Sequence, residues 1–534
     1  MKKTAFFYFF LLFFALFIPR IFSQEDQQAS PDVPEDVPAC VLIDASIDEP
    51  AFDQDSVFVI NSFGFNITGR TRPFVIIHRL GLREGEKIHG LENLEIFIAN
   101  NIQLLVNERV FQRVSLYYNI GPADEGGKFP VDLLFDLEDS WNFIVVPNPR
   151  YSSSEGFRLT LNSRDYNFLG TMNPLRLDAR YEHDIEGRNS FWFRMNSDVP
   201  FQALGLHWEF LFDNVFEYRL YSEEPFHFMN STGFSVELPF GNTIFTMGFL
   251  QSFILNDENS YREREQYGFF QSGFYMSSNP FVSWEIPTGI EIGNFGMLTY
   301  TPRLSAVFNY GFSRWPLKDN RKGPFLNFSQ TLGFDRVDWI GNFRRGFDVY
   351  FFNSFSYDFH RMRQNQNALG AYYSFSAAGH FILNNFTGLS TRLKFRHWFY
   401  RNYSYNDQAG NVLRGILNRS LRAQYMLSLN LDMPIRVLYF SPSTWFNSRR
   451  LRFFDFELHL SPIMDFAMFR DPVNNIAFDI RNTIFCYGLE LMFFPSMMRS
   501  VYIRLSFATN TTRHIRTSPG ANEYEIFFGL RHHF

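Results

Sequence analysis

The chain alternates between apolar and polar positions over most of its length. Along Tyr425–Ile435, Tyr425, Leu427, Leu429, Leu431 and Met433 fall on one side, and Asn430 and Asp432 on the other. Along Phe453–Phe466, Phe454, Phe456, Leu458 and Leu460 share a side opposite Asp455, Glu457, His459 and Asp465. Successive side chains of a strand point to opposite faces, so each stretch predicts a strand with one oily and one polar, acidic face. The pattern recurs from about Tyr151 to the end. Phe191, Phe193 and Met195 oppose Trp192, Arg194 and Asn196; Leu304, Ala306, Phe308 and Tyr310 oppose Arg303, Ser305 and Asn309; Leu393, Phe395 and Phe399 oppose Arg392, Lys394 and Arg396. Such strands build either a soluble sandwich with the oily face in a core, or a membrane barrel with that face to lipid and the polar face to a wet lumen. Arginines facing lipid would cost roughly 2–4 kcal/mol each near the bilayer midplane, a cost the barrel's lumen removes. At roughly 24 residues per strand with its connection, 151–534 predicts an all-β transmembrane barrel of about sixteen antiparallel strands.

The N-terminal part follows other rules. Lys2-Lys3 precede an apolar run from Ala5 to Ile18, and Ile21-Phe22-Ser23 ends the pattern of a secretory signal peptide, 1–23. Residues 24–56 are acidic and free of Lys and Arg, a flexible lead-in. From 57 to 138 the pattern predicts a strand (Val57–Phe65), a short helix entered through Pro73 and ending near Leu80, a helix from Leu91 to Asn107, and strands at Arg113–Ile120 and Phe129–Leu137. Leu91, Leu94, Ile98, Ile102 and Leu105 supply the helical spacing of the second helix. This is one small α+β domain. Residues 139–150, with Pro147 and Pro149, read as a linker.

Composition favours the barrel. The sequence holds 69 Phe and 19% aromatic residues with 19% charged residues, and no apolar run after the signal approaches the ~20 residues of a spanning helix. Oily and polar residues are interleaved, as a barrel requires. Net charge is −6, which gives no footprint for nucleic acid. Cys40 and Cys486 stand too far apart in sequence to imply a framework of disulfides or a metal knuckle. No G-x-S-x-G, H-E-x-x-H or C-x-x-C occurs; Gly121–Lys128 has Gly127 where a phosphate loop needs Lys; His532 and His533 point to opposite faces. Neither an enzymatic activity nor a cofactor or metal is expected.

Particular motifs carry a resemblance. Ile67-Thr68-Gly69-Arg70-Thr71-Arg72-Pro73-Phe74-Val75-Ile76, Leu80–Gly85 and Asn107–Val114 resemble a polypeptide-transport-associated (POTRA) domain, with Gly69, Thr71 and Gly85 as its distinctive positions. Asp165-Tyr166-Asn167-Phe168-Leu169-Gly170 is similar to the D-x-N-x-x-G found at the first barrel strand of the BamA/TamA-type outer-membrane assembly superfamily. Leu413-Arg414-Gly415-Ile416 resembles that superfamily's V-R-G-F/Y tip of the sixth extracellular loop, with Ile416 in the last place. Asn430–Pro434 resembles N-x-E-x-x-P with Asp432 for Glu, and Ile463–Ala467 resembles F-x-D-x-G with Ile463 and Ala467 substituted. The terminal Phe534, on an alternating stretch from Glu525, resembles the C-terminal signal of outer-membrane barrels.

The resemblance implies an outer-membrane barrel with one periplasmic POTRA-like domain. It implies that the loop tip folds into the lumen, that Arg414 pairs with Asp465 and with Asp432, and that Gly415 lets the backbone pass close to the wall. A planar guanidinium accepted by a carboxylate at two points is not replaced by Lys. The implied partners are the outer-membrane bilayer, unfolded or chaperone-bound barrel proteins taken up through the POTRA-like domain by strand addition, and accessory assembly proteins. The implied role is folding or inserting barrel proteins through a weak seam between first and last strands. The alternatives are a secretion pore for one protein partner, a passive pore or surface adhesin, and a structural or lipid-homeostasis role.

Overall fold

The computed structural model describes residues 56–152, 156–184, 187–221, 226–256, 273–293, 296–311, 317, 321–399, 412–416, 425–470, 483–510 and 524–530. The expected signal peptide, the acidic lead-in but for Ser56, Cys40, His532, His533 and Phe534 lie outside them.

The first sheet is built from β1 (Val57–Thr68), β2 (Lys87–His89), β3 (Phe111–Ile120) and β4 (Lys128–Asp139), in the order β2-β1-β4-β3. β1 and β4 run parallel, and the other pairs antiparallel. Two helices cover one face. α1 (Pro73–Leu80) starts at a proline and stops at Gly81, which takes the left-handed conformation (φ 64°) that ends helices. α2 (Leu91–Glu108) buries Leu94, Ile98, Ile102 and Leu105, the stripe its spacing predicts. These side chains meet Phe58, Ile60, Val131, Leu133, Phe135 and Leu137 from the sheet. The short strand β2 is an addition to the predicted order: three residues carry too little alternation to be read.

The remaining strands close into a barrel. β5 (Phe143–Ser152), β6 (Gly156–Asp165), β7 (Leu175–His183), β8 (Asn189–Ala203), β9 (Leu206–Arg219) and β10 (Phe226–Phe240) come first. β11 (Thr243–Leu255), β12 (Phe274–Glu291), β13 (Met297–Gly311), β14 (Phe325–Ile340), β15 (Phe343–Asp358), β16 (Leu369–Asn384) and β17 (Thr387–Phe399) follow. β18 (Tyr425–Asp432), β19 (Ile435–Phe440), β20 (Phe456–Arg470), β21 (Thr483–Pro495), β22 (Ile503–Asn510) and β23 (Tyr524–Leu530) complete the wall, and β23 meets β5. β18 and β19 both lie between β17 and β20. They are one wall position interrupted at Met433-Pro434, where proline has no N–H to give. Among the described residues the wall therefore has eighteen positions, against about sixteen expected.

Part of that difference is the segment taken as a linker. Residues 143–152 are β5, paired in full antiparallel register with β6. Tyr166 donates its N–H to the Asn142 carbonyl (2.9 Å) at the foot of this pair. Even-numbered residues of β5 therefore turn their N–H and C=O toward β6, and odd-numbered ones turn them toward β23. Pro147 and Pro149 are odd, so neither takes a donor from the β5–β6 ladder. They are tolerated because the lost donors fall on the other edge. A second correction concerns β20. It begins at Phe456; Phe453 and Phe454 sit in a short 3₁₀ turn, with Asp455 just after it. Asp455 accepts from the Ser443 N–H (3.0 Å) in the preceding turn and so stops that turn instead of extending the strand.

The outward face carries Phe191, Phe193, Leu304, Phe308, Leu505 and Phe507 exposed. The inward face carries ion pairs between neighbouring strands: Arg158 with Glu182 (3.0 Å), Arg164 with Asp178 (2.6 Å) and Arg194 with Asp213 (2.6 Å). The apolar and charged sets are on the faces that the alternation assigns to lipid and lumen.

Candidate functional site

Two constellations gather the residues singled out by the sequence. The first is inside the barrel. Residues 412–416 lie against the inner wall of β18, β20, β21 and the terminal strands. Leu413 and Ile416 are buried with Met426, Ala467, Phe469 and Ile484. Between them the Arg414 side chain is 2% exposed and that of Asp465 is 1% exposed. Arg414 donates Nε to Asp465 Oδ2 (3.0 Å) and Nη2 to Asp465 Oδ1 (2.5 Å), a two-point clasp. Its Nη1 donates to Asp432 Oδ1, and its backbone N–H donates to Asp465 Oδ2 (2.6 Å). Asp432 and Asp465 can both reach it because β18 and β20 are neighbours in register. Asn430 stands opposite Asp465, and Asp432 opposite Ile463, so the carboxylates occupy inward positions on adjacent strands.

The residues beside Arg414 complete the docking. Asn430 Nδ2 donates to the Val412 carbonyl (2.8 Å). Gly415 donates its N–H to Glu525 Oε2 on the last strand (3.0 Å). Gly415 has φ 86°, and a Cβ there would stand 3.2 Å from the backbone of Ala508 and Thr509 on β22. Glycine is required twice over, for the backbone conformation and for the close approach. Ala467, fully buried, faces the loop where a larger side chain would displace Leu413 or Ile416. Glu525 was not singled out from the sequence. It is an inward acid on an ordinary alternating strand, and only the fold brings it to the loop. The buried pair of Arg504 and Glu490 (3.2 Å) on β22 and β21 was missed for the same reason.

The second constellation joins residues that the sequence presents as two separate motifs. Asp165 closes β6, and Asn167 and Gly170 lie in the turn before β7, so this motif follows the second wall strand and not the first. The shift comes from β5, whose prolines conceal it. Asn167 is completely buried and donates Nδ2 to Thr71 Oγ1 (2.7 Å) and to Asp139 Oδ2 (3.1 Å). Its Oδ1 accepts from the Met172 N–H (2.9 Å). Asp139 also accepts from the Thr71 hydroxyl (2.6 Å) and the Arg70 N–H (2.8 Å), and Arg70 pairs with Asp165. Asp139 side-chain atoms occupy the place where a Cβ on Gly69 would stand. Gly170 has φ 74°, its carbonyl accepts from the Arg72 N–H (2.9 Å), and a Cβ there would collide with the Arg70 carbonyl oxygen at 1.9 Å. Gly69, Thr71, Asp165, Asn167 and Gly170 are thus one knot between the N-terminal domain and the barrel, with Asp139 as its shared acceptor. Asp139 escaped notice because it ends a strand in no recognisable motif. Gly85 is outside the knot, in the turn before β2, where its N–H meets the Ile60 carbonyl (2.8 Å).

A further contact fixes the domain to the same end of the barrel. Asn107 on α2 exchanges hydrogen bonds with Asp338 (2.9 Å) and the Trp339 N–H (2.9 Å) at the end of β14. Arg109 lies over the Trp339 ring at 4.1 Å. The space beside Asp432, lined by Phe343, Arg344, Ser390 and His459 among others, is about 20 Å³. A neighbouring space that shares Arg344 and Ser390 and is lined also by Trp339, His380 and Arg392 is about 190 Å³. The two constellations lock a loop to the wall and tie the N-terminal domain to the rim.

No family model matches the sequence, and no curated protein matches it. Among solved structures, the chain is similar to BamA from Haemophilus ducreyi lacking POTRA domains 1–3, at 12% identity and TM-score 0.35, over 89% of this chain and 85% of that one. It is similar to CdiB from Acinetobacter baumannii at 11% identity and TM-score 0.47, over 89% of this chain and 74% of that one. It is similar to CdiB from Escherichia coli at 9% identity and TM-score 0.39, over 92% of this chain and 93% of that one.

Proposed function

We propose that this chain is an outer-membrane barrel of the BamA/TamA-type assembly superfamily. Its POTRA-like domain, on the periplasmic side, delivers unfolded barrel proteins to the seam between β5 and β23, where they are folded and inserted. The observation that carries this reading is the loop tip clasped in the lumen. The Arg414 guanidinium holds residues 412–416 to β18 and β20, and the next amide reaches Glu525 on the last strand. The clasp braces the C-terminal half of the wall up to the seam.

Three further features support the reading. Pro147 and Pro149 remove two N–H donors from the seam-facing edge of β5, so fewer hydrogen bonds close that edge. In the N-terminal sheet β3 has β4 on one side and no other strand beside it among the described residues, an edge to which an extended client can add. The turn between β19 and β20 exposes Trp445, Phe446, Phe453 and Phe454, side chains suited to the interface of a bilayer. The outer-membrane lipid is the first partner in this scheme, an incoming barrel protein the second, and accessory assembly proteins on the domain's outer surface the third. The chemistry is strand exchange, without a cofactor or a covalent step.

Depletion of the protein followed by profiling of the outer-membrane proteome tests the proposal. Loss of many barrel proteins is the expected result. Loss of one secreted protein alone favours the secretion pore, and an unchanged profile favours a passive pore or adhesin. Complementation with Arg414→Ala should fail to restore the profile.

A further inference from the structure

The rim of the barrel holds a group of side chains used by neither constellation. His78 lies on α1 of the N-terminal domain. His207 opens β9 and Glu237 stands near the end of β10, paired with each other in the sheet register and both on the inward face. Their donor atoms lie within 4.8 Å of one another. His78 Nε2 is 2.8 Å from Glu237 Oε2. The two imidazoles lie face to face, 3.4 Å apart and 4° from parallel. His207 Nδ1 is enclosed and has no hydrogen-bond partner.

We propose that His78, His207 and Glu237 form a site for a divalent transition-metal ion of the zinc type, clasping the N-terminal domain to the barrel rim. Two imidazole nitrogens and a carboxylate oxygen are a donor set for zinc and its neighbours in the first transition row, and a poor one for calcium or magnesium. Bonds of about 2.0–2.2 Å in a tetrahedral arrangement place donor atoms roughly 3.3 Å apart. The His78–Glu237 pair, at 2.8 Å, would open by about 0.5 Å, wider pairs would close by up to about 1.5 Å, and one of the stacked rings would turn so that both in-plane lone pairs meet the ion. A metal bound through Nδ1 would give that enclosed His207 nitrogen the partner it lacks within the protein. It also lets the imidazoles approach as neutral ligands, which protonation of both would oppose. Arg79, next to His78 in sequence, pairs with Glu108 (3.0 Å). A fourth ligand would be water.

The clasp has a mechanical meaning. The domain is already held through the Asp139 knot and through α2 on β14. A third tie at β9–β10 fixes its rotation over the lumen mouth, so metal availability would set how freely the domain swings. This inference stands apart from the assembly role: a metal clasp serves a secretion pore equally well.

The test uses the full-length protein in detergent micelles, freed of metal by chelator and titrated with Co²⁺ and then Zn²⁺. The expected result is one equivalent of Co²⁺ with the visible bands of a four-coordinate ion, displaced by Zn²⁺. His207→Ala and Glu237→Gln should each weaken binding by at least about tenfold, the scale at which even supporting residues of metal sites act. Replacing His532 and His533 with Ala should leave it unchanged, which separates the rim from the C-terminal pair. Spin labels on α1 and on the β8–β9 turn should show a narrower distance distribution with Zn²⁺, and no such change in Glu237→Gln. Circular dichroism confirms that the variants are folded. Absence of one-equivalent binding, or binding that survives both rim substitutions, overturns the proposal and leaves a plain histidine–glutamate contact.

Discussion

Replacing Arg414 with Ala removes the side chain that links the loop tip to both wall carboxylates. The structure sets the scale of the loss. Deleting one member of a buried ion pair costs about 3–5 kcal/mol, chiefly because the remaining charge is left in a dry site. Here Asp465 and Asp432 both remain, and they then repel each other. The surviving anchors are Leu413 and Ile416, at roughly 1.5–3 kcal/mol each when fully buried. To these add the bonds to the Val412 carbonyl and from the Gly415 N–H, about 1 kcal/mol apiece, and the backbone N–H of residue 414 to Asp465, which the substitution keeps, about 1.5–3 kcal/mol. Holding five residues in one conformation costs about 1–2 kcal/mol each. Those anchors alone roughly equal the ordering cost, so Arg414 decides whether the tip is docked.

Proteolysis reads this directly. Wild-type protein in detergent should resist a protease of broad apolar specificity between 412 and 416, whereas Arg414→Ala should be cut there, with the new termini mapped by mass spectrometry. Asp465→Asn should behave similarly and Asp432→Asn less so, because Asp465 takes the two-point clasp and the backbone N–H. Arg414→Lys should fall between, since a point charge cannot satisfy both carboxylates in the geometry of a fork. In a double-mutant cycle with Asp465→Ala, the coupling should exceed about 1.5 kcal/mol. Equal protease resistance in all these variants, together with a coupling indistinguishable from zero, would refute the clasp.

The other sites give their own tests. Gly170→Ala should force the N-terminal domain off its knot, because its Cβ would collide with the Arg70 carbonyl; faster hydrogen exchange of residues 69–72 and 165–172 checks this, and unchanged exchange contradicts it. Pro147→Ala returns an N–H to the seam edge, so the barrel should gain up to about 1 kcal/mol and unfold at a higher temperature in detergent; an unaltered or lowered temperature means that the edge is not short of donors. Gly415→Ala should cost about 1–2 kcal/mol from the left-handed backbone alone and more from contact with β22, giving a protease pattern intermediate between wild type and Arg414→Ala. Asp124 accepts the N–H groups of Lys128 and Gly126, which hold its carboxyl below the usual range, the Lys128 contact first. Because the folded-state value is the depressed one, its stabilisation of the 121–128 turn is present above the ordinary aspartate value and is lost as pH falls through the depressed one. Asp124→Ala should remove that acid-side change in hydrogen exchange of the turn, and a wild-type turn that loosens instead on raising pH would reverse the sign.

What could be read from the sequence follows from how local each signal is. Alternation is local, so the barrel, its apolar outer face and the inward arginines were legible from single strands. The helical stripe of α2 was legible for the same reason. Arg414, Asp432 and Asp465 were legible as a set because each sits in a recognisable run, although their meeting point depends on the register of β18 with β20. Strand β5 was not legible, because prolines usually mark the end of pairing. Only the direction of each N–H, a property of the finished sheet, shows that Pro147 disturbs one edge and spares the other. Asp139, Glu525 and the rim group were hidden by distance along the chain. Each is an unremarkable polar residue until its distant partners are brought to it: Thr71 lies 68 residues from Asp139, Gly415 lies 110 from Glu525, and His78 lies 159 from Glu237.

The positions of these ties argue for where the barrel is weakest. The clasp fastens β18 and β20 to the loop, and through Gly415 the loop reaches β23. The Asp139 knot fastens β6 and the start of β7 to the N-terminal domain. At the foot of the wall, Trp141 and Asn142, just before β5, bond to Met497 (3.1 Å) and Ser500 (2.7 Å) in the turn between β21 and β22, and so bridge the lower end of the seam. Between the clasp and the knot, the β5 edge has lost donors at Pro147 and Pro149, whereas on its other side β5 keeps a full ladder with β6. Opening a wall elsewhere breaks a continuous ladder such as that of β14 with β15, which pairs every residue from Phe325 to Ile340. In the proposed role, the seam opens above the bridge at Trp141 and Asn142, where Pro147 and Pro149 give no N–H to β23. This proline-bearing edge is then the one that opens to receive an added strand.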